Sequence, residues 1–532
     1  MTASGEELKE LTVGGERVVL CGAPDLGILE EIIVGPGDLW HSGLLRGYAG
    51  LLPELKYWSP VYWYYLNDTA PDVRNVSWRV EYGAFAVRAS VWEAMGGLDT
   101  SYTSRTTPSL DLGFRLIQNG GVPLHVPDLY PSVEHSDQHF SIPRPDVYLF
   151  FTRHFKRDYR LYMLLREVMT RRRPLAELRA LRWAERQARS ITAPQTITMP
   201  PRPLQPLTGR LRVSAIVPTM RRQAYTANLL ADYTRQTLPL HEVFVVDATP
   251  DEERAPGIYS QYEQSLPLRV IWQRSLGTCR ARNEAIKLCT GDYILFADDD
   301  TRVPPDFVEN HVRVLDTYQA QATNGLDIRA DHPTQDLDDL ARKLAQMEGR
   351  RQRVGVSENF NNANSCVRLE WVHLCTGNDV NFDGGYGEDG DFGHCLIERG
   401  AVVLYNPYSA NLHLKPPTGG FRWWGAQAGK KGRSRKRQPW ELKRRVGWIA
   451  PRPSPTIMYS FLKHYTKDQL REWLYVYLLR SWMPVEVRSG RSKPGQIWVF
   501  LRHLLSTPAR LVRIWISYRF ARDLAERGPI FE

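Results

Sequence analysis

The sequence predicts an α/β protein built around a mostly parallel β-sheet with helices on both faces. Two observations carry this prediction. Short apolar runs alternate with helical stretches between residue 211 and about residue 415, and acidic residues stand where several of these runs end. The length of 532 residues also exceeds what one hydrophobic core usually supports. We therefore expect two or three domains.

The first half of this central segment contains four predicted strands of the sheet. LRVSAIV at 211–217 is closed by Pro218, and the next apolar run, EVFVVDA, ends at Asp247. RVIWQ follows, then a helix over RARNEAIKLCTG, then YILFA, which runs into Asp298. Ligands bind beyond the carboxyl ends of parallel strands. Asp247 and Asp298 therefore mark the expected rim of the functional site.

Composition narrows the class of protein. The apolar fraction of 42% and the charged fraction of 24% are those of a globular chain. A net charge of +10 indicates an anionic partner and is compatible with nucleotide diphosphates, phospholipid or nucleic acid. The six cysteines include no C-x-x-C pair, which favours a reducing compartment. With no visible signal peptide or apolar span, we expect a cytoplasmic protein, free or peripheral on the inner face of the plasma membrane.

An internal repeat links the two ends of the chain to its centre. GGLDTSY near residue 96 echoes NFDGGY near residue 381, and two longer stretches align without gaps. Ungapped matches in the same order favour duplication over an unrelated N-terminal domain that shares a helix–strand pattern. The matched pairs are 96–102 with 381–386, 111–127 with 391–407, and 145–158 with 455–468.

The segment YILFADDDT places three carboxylates at the exit of an apolar strand. Alternate side chains of an extended chain share a face, so Asp298 and Asp300 point one way and Asp299 the other. Two carboxylates on one face repel unless a cation lies nearby. A divalent ion already bound by phosphates needs only one or two protein carboxylates. The alternative is an Asx-rich turn that caps the next helix.

Two further segments carry candidate chemistry. The glycine-rich NFDGGYGEDGDFG opens a helix and holds Glu388, Asp389 and Asp391. These are either helix caps or a site where a carboxylate accepts a proton from an incoming hydroxyl. Downstream, SANLHLKPP places His413 at the end of a strand, where an imidazole either completes a metal site or is merely structural.

The ordered segments IVPT, VVDA, ARNEA, LFADDD, GYGEDGDFG and LHL resemble the inverting family 2 glycosyltransferases of the GT-A fold. The resemblance covers residue 211 to about residue 415. It implies a nucleotide-diphosphate sugar as donor and Mn²⁺ or Mg²⁺ as cofactor. The expected acceptor is a glycan, a lipid-linked molecule or a protein, in the synthesis of surface polysaccharide or glycoconjugate.

The resemblance also implies site residues in three roles. Nucleotide-sugar contacts would come from Pro218, Asp247, Arg282, Asp298 and Asp299. The metal ligands would be Asp300, Asp298 and His413, and the catalytic pair would be Asp389, as general base, and Glu388. The implied mechanism is one in-line displacement, with the metal acting as Lewis acid on the departing diphosphate.

Two departures from the family pattern matter. The second strand ends VVDAT where the family often has Asp-Asp-Gly-Ser, which weakens the expected base and ribose contacts. Processive synthases of the family carry Q-x-x-R-W and spanning helices, whereas FRWWG offers only Arg422 and Trp423. We therefore do not expect processive synthesis through a self-made channel.

The N-terminal copy is predicted to be degenerate. The alignment places Ser109 opposite Asp389 and Pro108 opposite Glu388, and a single Asp38 where the central copy has its triplet. A serine without its own activator cannot act as a base. The predicted organisation is a partial copy over 1–145, helices and a Pro-rich linker over 146–210, the catalytic domain over 211–415 and a basic helical region over 416–532.

The C-terminal region is predicted to contact an anionic membrane. KKGRSRKR at 430–437 is followed by two helical patterns that mix Trp, Tyr and Leu with Arg and Lys. The alternative is that these helices brace the catalytic domain. Two other functions are alternatives. A sugar nucleotidyltransferase would need a glycine-rich, arginine-containing loop directly after the first strand, and VPTMRRQAYTANLL has arginines but no glycine. A non-catalytic scaffold would bind polysaccharide or membrane. No nucleic-acid motif accompanies the basic run.

Overall fold

We describe the protein from a computed structural model. The described residues are 8–43, 51–57, 64–131, 141–190, 197, 199–209, 211–255, 257–274, 276–347, 353–421, 449–482 and 493–532. The basic run at 430–437 and the pair Arg422 and Trp423 lie outside them.

The N-terminal region forms a sheet of its own with the order β1-β2-β5-β3-β6-β4. Six α-helices of this region lie within the described residues, and the last of them ends at Ser190, before the Pro-rich linker. The strands are β1 Lys9–Val13, β2 Glu16–Cys21, β3 Leu39–His41, β4 Asn75–Val76, β5 Phe85–Arg88 and β6 Pro123–His125, and the helices are α1 Leu26–Ile32, α2 Ala89–Met95, α3 Thr106–Gln118, α4 Arg144–His154, α5 Arg157–Arg171 and α6 Pro174–Ser190.

The central region forms the larger sheet, with the order β11-β15-β12-β14-β10-β7-β8-β9 and β13 beside β15. Its strands are β7 Val213–Thr219, β8 Glu242–Asp247, β9 Leu268–Trp272, β10 Tyr293–Ala297, β11 Thr301–Arg302, β12 Ala322–Arg329, β13 Gly355–Val356, β14 Asn364–Arg368 and β15 Val403–His413. Its helices are α7 Gln223–Tyr233, α8 Thr278–Ile286, α9 Phe307–Tyr318, α10 Leu337–Gln346, α11 Leu369–Leu374 and α12 Glu388–Glu398.

The predicted α/β class is confirmed, and the direction of the strands divides the central sheet in two. Strands β7, β8, β9 and β10 are parallel, as the alternating pattern predicts. Strand β14 runs antiparallel to both of its neighbours, β10 and β12, so the other half is mixed. Every residue of β7 and of β8 is buried, because helices cover both faces there.

The two sheets share one topology around their middle strands. β5 runs antiparallel to β2 and β3, and β3 runs parallel to β6. In the central sheet, β14 runs antiparallel to β10 and β12, and β12 runs parallel to β15. The first sheet has no counterpart of β7, β8 and β9 among its described residues, and the short β1 lies at that edge instead.

The sheet registers correct two details of the predicted repeat. Cys21 pairs with Phe85 as Phe296 pairs with Ser365, so Asp25 occupies the place of Asp300. The prediction that Asp38 stands for the triplet is wrong, since Asp38 precedes its strand.

The true counterpart of Asp38 is Gln321. Asp38 accepts a hydrogen bond from the Val122 amide (3.0 Å), as Gln321 does from the Val402 amide (2.8 Å). The repeat is also ungapped over 96–102, but its partner segment is 376–382, which brings Asp99 opposite Asp379.

The C-terminal helices divide into a packed group and an exposed group. They are α13 Pro455–His464, α14 Lys467–Trp482, α15 Lys493–Leu505 and α16 Thr507–Arg527. Helices α13, α14 and one face of α16 are the packed group, since Met458, Phe461 and Trp473 form an apolar cluster with Phe382 of the central region and with Ile514, Ala521 and Leu524 of α16. The exposed group is α15 with the outer face of α16. On α15 only Val499 is a buried hydrophobic residue. Within the described part of the chain, no helix has the length and hydropathy needed to cross a bilayer.

Candidate functional site

Three side chains meet at the carboxyl edge of β10. Asp298 and Asp300 follow β10 directly, and His413 is the last residue of β15. Their ligand atoms lie within 4.8 Å of one another. His413 Nε2 is 3.1 Å from Asp300 Oδ1 and 3.7 Å from Asp298 Oδ2. Two carboxylates and one imidazole are a donor set that suits a divalent cation such as Mn²⁺, so these residues fit a metal.

Asp327 of β12 orients His413 from behind. Its Oδ1 is 3.1 Å from His413 Nδ1, which leaves Nε2 directed toward the aspartates. A carboxylate behind a ligating histidine fixes its tautomer and raises its basicity. Burial lowers the pKa of His413, but Asp300 and Asp327 outweigh burial and raise that pKa to about 10.

Asp299 lies with Asp300 in the turn after β10 and is not one of these three residues. It accepts a hydrogen bond from the Thr219 hydroxyl at 2.8 Å and lies 3.2 Å from Arg222 Nη1. The same Nη1 is 3.1 Å from Asp300 Oδ2. Burial raises the pKa of Asp299 to about 7, against the opposing effect of Arg222. Arg222 therefore ties the aspartate triplet to the loop after β7.

Arg282 of α8 joins the aspartates to the start of α12. Its guanidinium is buried, with Nη2 3.4 Å from Asp298 Oδ1 and Nη1 3.9 Å from Asp389 Oδ1. Asp389 keeps about a third of its side chain exposed (35%), whereas the neighbouring Glu388 is buried. The arrangement places one accessible carboxylate beside the three-residue group and holds it with a buried cation.

A second group of possible metal ligands lies on the far side of α12. His394, Glu398 and His464 offer atoms within 4.8 Å of one another. The His394 and His464 rings are stacked at 4.4 Å with 14° between their planes, which directs their nitrogens side by side rather than toward one point. His464 also donates hydrogen bonds to Asp391 (2.7 Å) and Glu398 (2.6 Å). We interpret this group as an ion-pair network.

Comparison with known proteins bears on the central region. Residues 214–337 match the sequence model of Glycosyl transferase family 2. This match identifies residues 214–337 as part of a family 2 glycosyltransferase domain.

Curated relatives agree with this assignment. The uncharacterized glycosyltransferase EpsJ of Bacillus subtilis (strain 168) is 36% identical over 118 residues, 22% of this chain and 32% of EpsJ. Poly(ribitol-phosphate) beta-N-acetylglucosaminyltransferase TarS of Staphylococcus aureus (strain Mu50 / ATCC 700699) is 28% identical over 114 residues, 21% of this chain and 20% of TarS. The chain spans well under half the length of the curated relatives that it matches, and two further uncharacterized glycosyltransferases are covered over 34% and 39% of their own length.

Two solved structures are similar to parts of the chain. The mannosyltransferase PcManGT from Pyrobaculum calidifontis, in complex with GDP-Man and Mn²⁺, has a TM-score of 0.33 and 18% identity over 62% of this chain and 91% of its own. Staphylococcus aureus TarS 1–349 in complex with UDP-GlcNAc has a TM-score of 0.33 and 16% identity over 60% and 93%. With the family match and the sheet described above, the predicted GT-A-type class is confirmed.

Two of the residues predicted to contact the nucleotide, Pro218 and Asp247, are buried. Pro218 is within the fully buried β7. Asp247 is fully buried, and its carboxylate accepts hydrogen bonds from Gln223 Nε2 (2.6 Å), the Tyr259 hydroxyl (2.9 Å) and the Thr249 amide (2.8 Å). In this arrangement Asp247 holds Gln223 and Tyr259 in place. Its contact with a nucleotide stays a prediction.

Sequence reasoning missed Arg222 and Asp327 in the glycosyltransferase domain. The sequence alone indicates a ligand-site role for Arg222, because a basic residue shortly after the first parallel strand lies at the carboxyl edge of the sheet, where ligands bind. Asp327 had none. Its place beside His413 depends on the pairing of β12 with β15, which shifts register between Gly325 and Leu326.

Proposed function

We propose that this protein is a metal-dependent inverting glycosyltransferase, which moves a sugar from a nucleotide-diphosphate sugar to an acceptor hydroxyl. One observation carries the proposal. Asp298, Asp300 and His413 form a cation-binding group, and Arg282 joins that group to the accessible Asp389. The family match and the donors named for TarS and PcManGT support it.

Asp298, Asp300 and His413 would hold Mn²⁺ or Mg²⁺, which when bound acts as a Lewis acid on the diphosphate leaving group. Asp327 keeps His413 Nε2 directed at that position. Arg222 fixes the aspartates, because one of its nitrogens reaches Asp299 and Asp300 together. A preformed group of this kind costs no reorganisation when the donor arrives.

Asp389 is the proposed general base. It would take the proton of the acceptor hydroxyl as that oxygen attacks the anomeric carbon of the donor. The bond from the anomeric carbon to the diphosphate breaks on the opposite side, so the single displacement inverts the configuration. Arg282 holds Asp389 on the acceptor side of Asp298.

A donor-hydrolysis screen tests this function. Purified full-length protein is incubated with common UDP-, GDP- and CDP-sugars, with Mn²⁺, Mg²⁺ or EDTA. We expect slow release of nucleoside diphosphate from one donor, dependent on the cation. Equal rates with EDTA would reject the metal assignment, and no hydrolysis of any donor would count against the function.

We further propose that the exposed group of C-terminal helices rests on an anionic membrane, which would place the enzyme at the inner face of the plasma membrane. Trp498 and Leu505 of α15 are 67% and 80% exposed, and Trp515 of α16 is 54% exposed. Residues 493–522 contain lysine and arginine but no acidic residue. Aromatic-apolar helices with basic residues suit the interface of an anionic bilayer.

Flotation with liposomes tests the membrane proposal. The protein should float with phosphatidylglycerol vesicles, less so in high salt, and not with phosphatidylcholine vesicles. Trp498→Glu with Leu505→Glu should abolish flotation. The matched control is Leu165→Glu on α5, which is 55% exposed away from these helices. Flotation that survives the double substitution would reject this surface as the contact.

A further inference from the structure

A cavity of about 680 Å³ is lined by Asp389, the proposed base, and by Asp327, which contacts His413. Part of its wall belongs to the glycosyltransferase domain, and part belongs to the N-terminal copy. The copy contributes Tyr64 and the end of α3 with Ile117, Gln118 and Gly120. The site next to the proposed base is therefore closed by the domain that the alignment predicts to be degenerate.

This wall is fixed by close contacts with the glycosyltransferase domain. The Gly120 carbonyl accepts a hydrogen bond from the Val356 amide at 3.3 Å. A Cβ at Gly355 would lie only 1.8 Å from that carbonyl oxygen, so the two backbones meet where only glycine fits. Arg353 Nη2 also reaches Asp38 of the N-terminal copy at 2.5 Å. The wall is thus part of the folded unit.

Tyr64 brings the N-terminal copy close to the base itself. Its side chain is 4% exposed, and its ring meets His394 of α12 edge to face at 4.6 Å. A Cβ at Gly393 would lie 2.3 Å from the Tyr64 hydroxyl oxygen. Burial raises the pKa of Tyr64 well above its ordinary value, and the charge of Asp389 adds to this effect.

The chemistry of the lining favours a sugar chain. The Asn324 side chain is bonded to Asn359 Oδ1 (3.1 Å) and to the Asn361 backbone amide (2.9 Å), and the side chains of Asn359 and Asn361 can donate amide N–H groups to vicinal hydroxyls. The rings of Tyr386 and Tyr405 offer amphipathic faces suited to the C–H faces of a pyranose. A cavity of this volume with convergent polar groups lies within the ordinary range of ligand sites.

The charges of the lining disfavour an anionic ligand. Asp327, Glu358, Glu388 and Asp389 line the cavity. Among the described residues of the lining, Arg353 is the one basic residue, and its charge is matched by Asp38. An acceptor that carries phosphate or carboxylate groups would meet like charges, which costs binding energy.

We propose that this cavity binds a neutral glycan as acceptor and that the N-terminal copy supplies its outer wall. The proposal rests on the proposed glycosyltransferase function, because the acceptor hydroxyl must reach Asp389. In this proposal the N-terminal copy helps to bind the acceptor but contributes no catalytic residue.

The test uses full-length protein and a substitution in the wall that is distant from the donor. Gln118→Trp places a bulky side chain at the exposed end of α3 that faces the cavity. Glu93→Trp is the matched control, at a site on α2 of the same copy whose side chain is 64% exposed. Binding is measured by calorimetry with neutral gluco-, manno-, galacto- and N-acetylglucosamine oligosaccharides, and with uronic acid and polyol-phosphate oligomers.

We expect the wild type to bind at least one neutral series. Gln118→Trp should weaken that binding by about tenfold or more, with donor hydrolysis unchanged, and Glu93→Trp should behave as the wild type. Binding of anionic oligomers alone, no binding of any neutral series, or a Gln118→Trp protein that binds normally would each overturn the proposal. Failure of the proposed function shows separately, as wild-type protein that hydrolyses no sugar nucleotide.

Discussion

The N-terminal copy and the glycosyltransferase domain keep the same ion-pair network and differ in the carboxylates at the sheet edge. In each region, a buried aspartate of one helix (α3 or α12) lies 2.7 Å from a histidine. A basic residue contacts a second aspartate, in the loop before that helix. The equivalent pairs are Asp111 with Asp391, His154 with His464, Arg153 with Lys463, and Asp99 with Asp379. What the two regions share is what holds the helices on the sheet.

Within the part of the sheet that the two regions share, the matched positions with a proposed chemical role differ. Asp300 lies in the proposed cation-binding group, whereas its counterpart Asp25 accepts hydrogen bonds from the Gly27 and Ile28 amides at the start of α1. Asp389 is accessible, whereas Ser109 is fully buried and donates to the Thr106 carbonyl of its own helix. The predicted duplication would thus have kept the shared strands and helices, while the groups proposed for transfer occur, among the described residues, in the central copy.

The largest expected effect belongs to the metal group. Asp300→Ala should reduce transfer below detection, because it removes a ligand and uncovers the charge of the neighbouring His413. Transfer is measured with saturating Mn²⁺, and circular dichroism checks the fold. An active, folded Asp300→Ala protein would contradict the site and would remove the main difference between the two regions.

The second prediction concerns the base. Asp389→Asn keeps the shape of the side chain but cannot accept the proton, so transfer should fall by roughly 10²–10⁴-fold. Donor binding, followed by calorimetry, should stay nearly unchanged. The matched substitution Ser109→Ala in the other copy should leave transfer as it is. A parallel loss of donor binding in Asp389→Asn would instead make Asp389 a nucleotide or metal ligand.

Local patterns explain what the sequence could predict. The buried run at 211–217 and the acidic exit of YILFA are readable because each depends on one strand and its end. The antiparallel β14 is not readable, since its direction depends on which strands it joins. The place of Asp38 is not readable for the same reason, since only the pairing of β3 with β5 and β6 shows that Asp38 directly precedes a strand rather than following one. Residues that act across elements, such as Asp327 and Tyr64, carry no local pattern.

The third prediction uses the shared network. Burial lowers the pKa of His464, but Asp391 and Glu398 outweigh burial and raise it to about 9. Because this pKa lies above the unfolded value of about 6.5, the charged histidine stabilises the fold fully below pH 6.5. That contribution is lost as the pH rises toward 9.

His464→Gln should therefore lower the free energy of unfolding at pH 6, by an amount on the order of 3 kcal/mol. The deficit should shrink by pH 10. Urea denaturation of both proteins at the two pH values measures it. A deficit that is the same at both would show that His464 acts by packing and hydrogen bonding alone, and the network would then not depend on charge.

The smallest expected effect is at Asp25, the counterpart of Asp300. Asp25→Ala removes the acceptor for two amides at the start of α1, at 2.9 and 3.0 Å, and should lower the free energy of unfolding by about 1 kcal/mol. Asp25→Ser restores an N-cap oxygen without a charge and should recover most of that loss. Transfer should be unchanged in both variants, because the cap lies outside the cation-binding group. A folded Asp25→Ala protein that loses transfer while Asp25→Ser keeps it would mean that the order of α1, and with it the wall formed by the N-terminal copy, limits the reaction.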